Sequence, residues 1–88
     1  MIRGTIGEET NVTLTSIGKV LRESGCTFED VVKCTCYLAR IEDFDEFHKE
    51  YRNFFSGVLP ARSTVQAGFG DGIKIEIDAI ARIPSLEE

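Results

Sequence analysis

Basic charge is scarce in this chain: ten Lys and Arg stand against fifteen Asp and Glu, a net charge of -5, and the cations are scattered rather than clustered. Such a surface has no basic face to neutralise phosphates, which argues against nucleic acid as a partner. Cysteine is short as well. Three thiols, two of them in the segment "CTC", do not make a disulfide framework, and a lone C-x-C without a second ligand pair does not make a zinc site. Cys34 and Cys36 therefore read as small buried hydrophobes, and Cys26, at a helix exit, as an exposed thiol with nothing beside it to activate it. No run of 18 apolar residues exists to span a membrane, and "MIRGTIGEET" lacks the zones of a secretory signal, so the cytoplasm is the expected compartment. With only two prolines, 42% hydrophobic and 28% charged residues, disorder has no compositional support.

What is present suffices for one domain over residues 1–88, small enough that self-association is a natural way to complete its core. Thr10, Leu14, Ile17 and Leu21 recur at helical spacing with Val20 beside them, predicting a helix from about Glu8 to Ser24 that Gly25 stops. "DVVKCTCYLA" is short and rich in β-branched and aromatic residues, which predicts a strand over Val31 to Ala39 buried on both faces. In "EDFDEFHKEYRNFFSG", Asp43 and Glu46 have the spacing of a capping box, and Gly57 marks the end. Phe44, Phe47, Tyr51, Phe54 and Phe55 give this second helix one inward face, with Glu46, Lys49 and Arg52 left to solvent. "RSTVQAG" and "GIKIEIDAIAR" read as two further strands joined by "GFGDG", whose glycines supply positive φ. The expected fold is α+β in the order α-β-α-β-β, with both helices on one face of a mixed sheet. Alternation places Ile73, Ile75, Ile77 and Ala79 toward the helices and Glu76 on the open face, where a partner is expected.

"DVVKCTCYLARIEDFDEFHKEYRNFF", followed by "PARSTV" and "IKIEIDAIA", resembles the RidA/YjgF family of imine deaminases, also known as L-PSP endoribonucleases. The likeness runs over nearly the whole chain. It implies a chorismate-mutase-like homotrimer with ligand clefts between subunits, and hydrolysis of 2-iminobutanoate and 2-iminopropanoate to 2-keto acids and ammonia without cofactor or metal. Family members are longer, with a β-hairpin before the first helix that supplies a tyrosine and a serine near the ligand. This chain starts where that hairpin ends, and neither residue has a counterpart in it.

The resemblance assigns substrate binding to Arg62, whose fork would hold the carboxylate of a 2-imino acid bidentately. It assigns water positioning and proton transfer to Glu76, a task suited to a partly buried carboxyl group. Arg62 and Glu76 are expected on adjacent strands. Ser63 and Thr64 follow as main-chain contacts, Thr64 standing where many members have cysteine. His48 replaces a common asparagine: it fills a polar corner of the helix's inward stripe, and its imidazole could donate to a ligand as asparagine would. Gly70 occupies a position that is apolar in the family. Three other readings stay open: an Arg62–Glu76 ion pair that only holds the trimer together, a non-catalytic trimer binding small carboxylates or keto acids, and the endoribonuclease or translation-inhibiting activity of the family's older name.

Overall fold

Thr5 starts the first helix two residues before its apolar spacing suggests. A computed structural model describes residues 4–57, 59–70 and 72–84, and in it α1 runs from Ile6 to Glu23. The Thr5 hydroxyl accepts from the Glu8 amide at 3.1 Å while Glu8 accepts from the Thr5 amide at 2.9 Å, a closed capping box that satisfies two otherwise orphaned donors. Ser24 ends the helix and Gly25 follows at φ 81°, with the Cys26 amide bonded back to Leu21 and the Gly25 amide to Arg22. Those two bonds define a Schellman motif, and they turn Cys26 inward: it is buried, not an exposed thiol.

β1, Val31–Leu38, is followed by a 3₁₀ turn at Ile41–Asp43 and by α2, Phe44–Tyr51. The expected capping box of α2 does not form. Asp43 makes no side-chain cap, and the Glu46 carboxylate instead accepts from the Gly7 amide of α1 at 3.0 Å. The α-helix also stops well before Gly57, tightening into a 3₁₀ turn at Arg52–Phe54. Its inward face is as expected: Phe47 and Tyr51 are fully buried, and Phe28 of an earlier turn packs between Phe54 and Phe55 with ring centroids 5.6 and 5.3 Å apart.

β2, Ala61–Gln66, and β3, Ile75–Ala81, do not pair with each other. The sheet order is β2-β1-β3, with β1 parallel to β2 and antiparallel to β3. The segment 67–74 is thus a connection over the end of β1 rather than a hairpin turn. Gly70 and Gly72 do take positive φ there, 76° and 74°; Asp71 lies outside the described residues. α1 packs on β3 and α2, and both helices lie on one sheet face, so β1 is buried on one face only rather than both. Its Cys34, Cys36 and Leu38 are at most 1% exposed, whereas Val32, beside a register shift between Val31 and Lys33, is 52% exposed. β3 alternates as expected, with Ile75 and Ile77 in the core and Glu76, Asp78 and Ile80 outward.

Among the described residues one charged side chain is buried. Glu9, 3% exposed, accepts from the Gly4 and Lys74 amides at 3.1 and 3.3 Å and from Lys74 Nζ at 3.5 Å. A buried carboxylate is tolerated when donors surround it, and these tie the start of α1 to the entry of β3.

Candidate active site

The parallel register between β1 and β2 opposes Arg62 to Cys34, which belongs to the core, so Arg62 points into the helix layer. There α2 presents an aromatic stripe. The guanidinium carbon lies 5.3 Å from the Phe44 ring centroid, 5.5 Å from Phe47 and 4.8 Å from Tyr51. A cation held among ring faces gains roughly 0.5–2 kcal/mol per good contact, more where water is excluded. His48, on the same stripe, completes the surround: its Nδ1 is 2.8 Å from an Arg62 terminal nitrogen. Its ring stacks on Phe44 at 5.6 Å and 7° and faces Tyr51 at 6.4 Å and 23°. Burial, and then the nearby Arg62 and Arg52 cations, hold the His48 pKa below its usual value. Among the described residues no carboxylate pairs with Arg62, so this half-buried guanidinium keeps donors for a ligand.

Beneath it the groups are neutral. The Tyr51 hydroxyl is buried against the Cys34 thiol without forming a well-aligned hydrogen bond, and burial, with that thiol's help, pushes the phenol well above its ordinary pKa. Burial also raises Cys34 and pushes Cys36 up to about 12, its effect reinforced at Cys36 by Cys34. These thiols are packing groups, as their sequence pattern suggests.

Ser63 and Thr64 diverge. Ser63 opposes Thr35 on the open face and is exposed, while Thr64 opposes Cys36, its hydroxyl buried and without a hydrogen-bond partner among the described residues. Because β2 is a sheet edge, one of any two consecutive residues presents its amide and carbonyl outward, which leaves main-chain donors at this end of the site.

Glu76 does not join them. It opposes Tyr37 on the far edge strand, on the sheet face away from the helices, and is exposed, so the partial burial expected of it is not supplied within one chain. The expected adjacency of the Arg62 and Glu76 strands is therefore wrong: β1 lies between them, and the two side chains leave opposite faces of the sheet. An Arg62–Glu76 ion pair within the chain is ruled out by the same placement. Arg62 and His48 are brought together. The aromatic walls around Arg62 went unrecognised in the sequence, where Phe44, Phe47 and Tyr51 read only as core; nothing local marks a core ring as the seat of a cation from another strand.

No cluster of three or more metal-ligating side chains exists among the described residues, and no helix among them is long and apolar enough to cross a membrane. An apolar groove of about 260 Å³ lies between α1 and β3, lined by Ile17, Val20, Leu21 and Ala79, and none of the site residues borders it.

The endoribonuclease L-PSP family model matches residues 1–83. Over 82 residues the chain is 42% identical to the 2-iminobutanoate/2-iminopropanoate deaminase of Rattus norvegicus and 38% identical to that of Homo sapiens; each match covers 92% of this chain and 60% of the relative. The chain thus spans less than two thirds of the length of these relatives. Among solved structures it is similar to E. coli TdcF with bound serine, at 26% identity and a TM-score of 0.88, covering 97% of this chain and 69% of that one. A YjgF family protein from Neisseria meningitidis matches with the same identity and TM-score over 92% of this chain and 70% of its own.

Proposed function

This chain belongs to the endoribonuclease L-PSP family, the RidA/YjgF proteins, and we propose that it hydrolyses small 2-imino acids, 2-iminobutanoate and 2-iminopropanoate, to 2-keto acids and ammonia. The observation that carries the reading is Arg62: a half-buried guanidinium held by three aromatic rings and an imidazole, with no carboxylate partner among the described residues. A 2-imino acid brings that carboxylate, and a planar fork fixes the plane of the adjoining C=N carbon. Water then adds to this carbon while a proton moves to nitrogen. The resulting carbinolamine expels ammonia and leaves the keto group. Glu76 takes the proton from water and returns it to the departing nitrogen; Ser63 and Thr64 contribute main-chain contacts, and His48 borders the ligand.

Because Arg62 and Glu76 occupy opposite sheet faces, one copy of the chain supplies the arginine of a site and a second copy supplies the glutamate. A homotrimer provides such pairs, and the open sheet face, with Val65 and Ile80 44% and 61% exposed, is the surface it would cover. The separation of Arg62 from Glu76 also favours a second reading, a module that binds keto or imino acids without turnover.

The test is release of 2-ketobutyrate from freshly generated 2-iminobutanoate in the presence of a competing trapping nucleophile. Wild type should accelerate release, and Arg62→Ala and Glu76→Gln should each lower the acceleration by about a hundredfold or more. Binding of 2-ketobutyrate without acceleration by wild type, under conditions where a longer family member is active, would replace the deaminase with the binding module. If RNA cleavage is the activity instead, it should show the steep salt dependence of phosphate contacts.

A further inference from the structure

We propose that His48 is the positioning residue of this site: as a neutral imidazole protonated on Nε2 alone, it fixes the Arg62 guanidinium in the orientation that receives a carboxylate, and on gaining a second proton it releases it. The proposal rests on the carboxylate-binding reading of Arg62 and adds the condition under which that site is competent.

Arginine has donors and no acceptor. At 2.8 Å from an Arg62 terminal nitrogen, His48 Nδ1 must therefore accept, and the ring proton sits on Nε2. The stacked rings of Phe44 and Tyr51 hold the imidazole in this orientation. The aromatic faces around Arg62 attract its charge but do not dictate which N–H points where. Among the described residues the imidazole is its one side-chain hydrogen-bond partner, and so sets the rotation of the fork.

Protonation reverses the contact. Nδ1 would carry a hydrogen toward another donor, and two cations would meet at hydrogen-bond distance. The charged groups bearing on the ring are Arg62 from β2, Arg52 from the turn after α2, and Asp45 on α2 itself, two cations against one carboxylate. Burial is the larger influence and the two cations add to it, so the imidazole is held below its ordinary pKa and the neutral form is favoured. The site is then competent at neutral pH and fails in acid, with His48 as the sensor.

His48 is the only histidine, so its ring signals in long-range ¹H–¹⁵N spectra of the ¹⁵N-labelled protein are unambiguous. Without ligand, they should show the Nε2–H tautomer, a titration midpoint below 6.5, and a midpoint that moves back toward that value in Arg62→Ala. Calorimetric titration with 2-ketobutyrate from about pH 8 to 5 should show wild-type affinity falling about tenfold per pH unit below the midpoint, the slope of one linked proton. His48→Asn, whose amide oxygen can accept from Arg62, should lose that acid limb whatever its affinity at pH 8. An Nδ1–H tautomer, a midpoint indifferent to Arg62→Ala, or an acid limb that persists in His48→Asn overturns the proposal. If 2-ketobutyrate binds at no pH, the carboxylate reading fails and ligand release fails with it; the tautomer and its dependence on Arg62 still decide whether His48 holds the guanidinium.

Discussion

Mixing two inactive variants should restore activity. In one chain Arg62 and Glu76 sit on the outer strands of a three-stranded sheet, opposite Cys34 and Tyr37 of β1. Two strand spacings put them about 10 Å apart across the sheet, and three residues along β1 add about 10 Å, so their Cα atoms are separated by about 14 Å while the side chains leave opposite faces. In a 2-imino acid the carboxylate carbon is bonded directly to the imine carbon, and water must reach that carbon to within about 3–3.5 Å. One chain's pair cannot meet both demands. If each site takes Arg62 from one copy and Glu76 from another, Arg62→Ala and Glu76→Gln homotrimers have no complete site. Equal amounts co-refolded from denaturant then combine at random, and about a quarter of the interfaces bring the intact arginine of one variant to the intact glutamate of the other. The assay is 2-ketobutyrate release, with a mixture of wild type and Arg62→Ala as the dilution control. A mixture that stays at the level of its parents, or a wild type that turns over substrate while sedimenting as a monomer, refutes the shared site.

Glu9→Ala removes the acceptor of two amides and of Lys74 Nζ from a buried position, leaving donors unpaired; a loss of about 1–3 kcal/mol is expected in urea unfolding, read as a lower midpoint at unchanged slope. Cys26, Cys34 and Cys36 are all buried, so a thiol reagent at pH 8 should label none of them in the native protein within minutes and all three after denaturation. The lowered pKa of His48 means that, as pH falls through the ordinary imidazole value, the unfolded chain takes the proton before the folded one. Stability should then be full above about pH 6.5 and decline toward the folded pKa, and His48→Asn should flatten that part of the pH dependence of Tm.

The helices were legible because their signals are local. The stripe from Phe44 to Phe55, the stop at Gly25 and the alternation of β3 all report which face is buried, and burial followed. The capping box at Thr5 was missed although Thr5 and Glu8 have the required spacing, because the apolar periodicity pointed two residues later. At Asp43 the same spacing misled, because Gly7, far away in sequence, competes for the Glu46 carboxylate. His48 was placed on the inward stripe of α2, but its partner Arg62 comes from β2 and leaves no mark near it in sequence.

Strand order was the larger miss, and its cause bears on function. Arg62 and Glu76 are close in sequence and look like the two sides of a hairpin, a reading that depends on the last two strands alone. The helical crossover through α2 returns β2 parallel to β1, and the segment 67–74 then carries the chain over the end of β1 to its other side. Composition held the clue. β1 has a single charge, Lys33, and contributes Cys34, Cys36 and Leu38 to the core, so exposing it at an edge would forfeit more burial than exposing either neighbour. β2 carries Arg62 and β3 carries Glu76 and Asp78, more charge together than the single Lys33 of β1, and edge strands accommodate charge readily. The preference that centres β1 is the one that drives Arg62 and Glu76 apart, so a site needing both must be completed by a second copy of the chain.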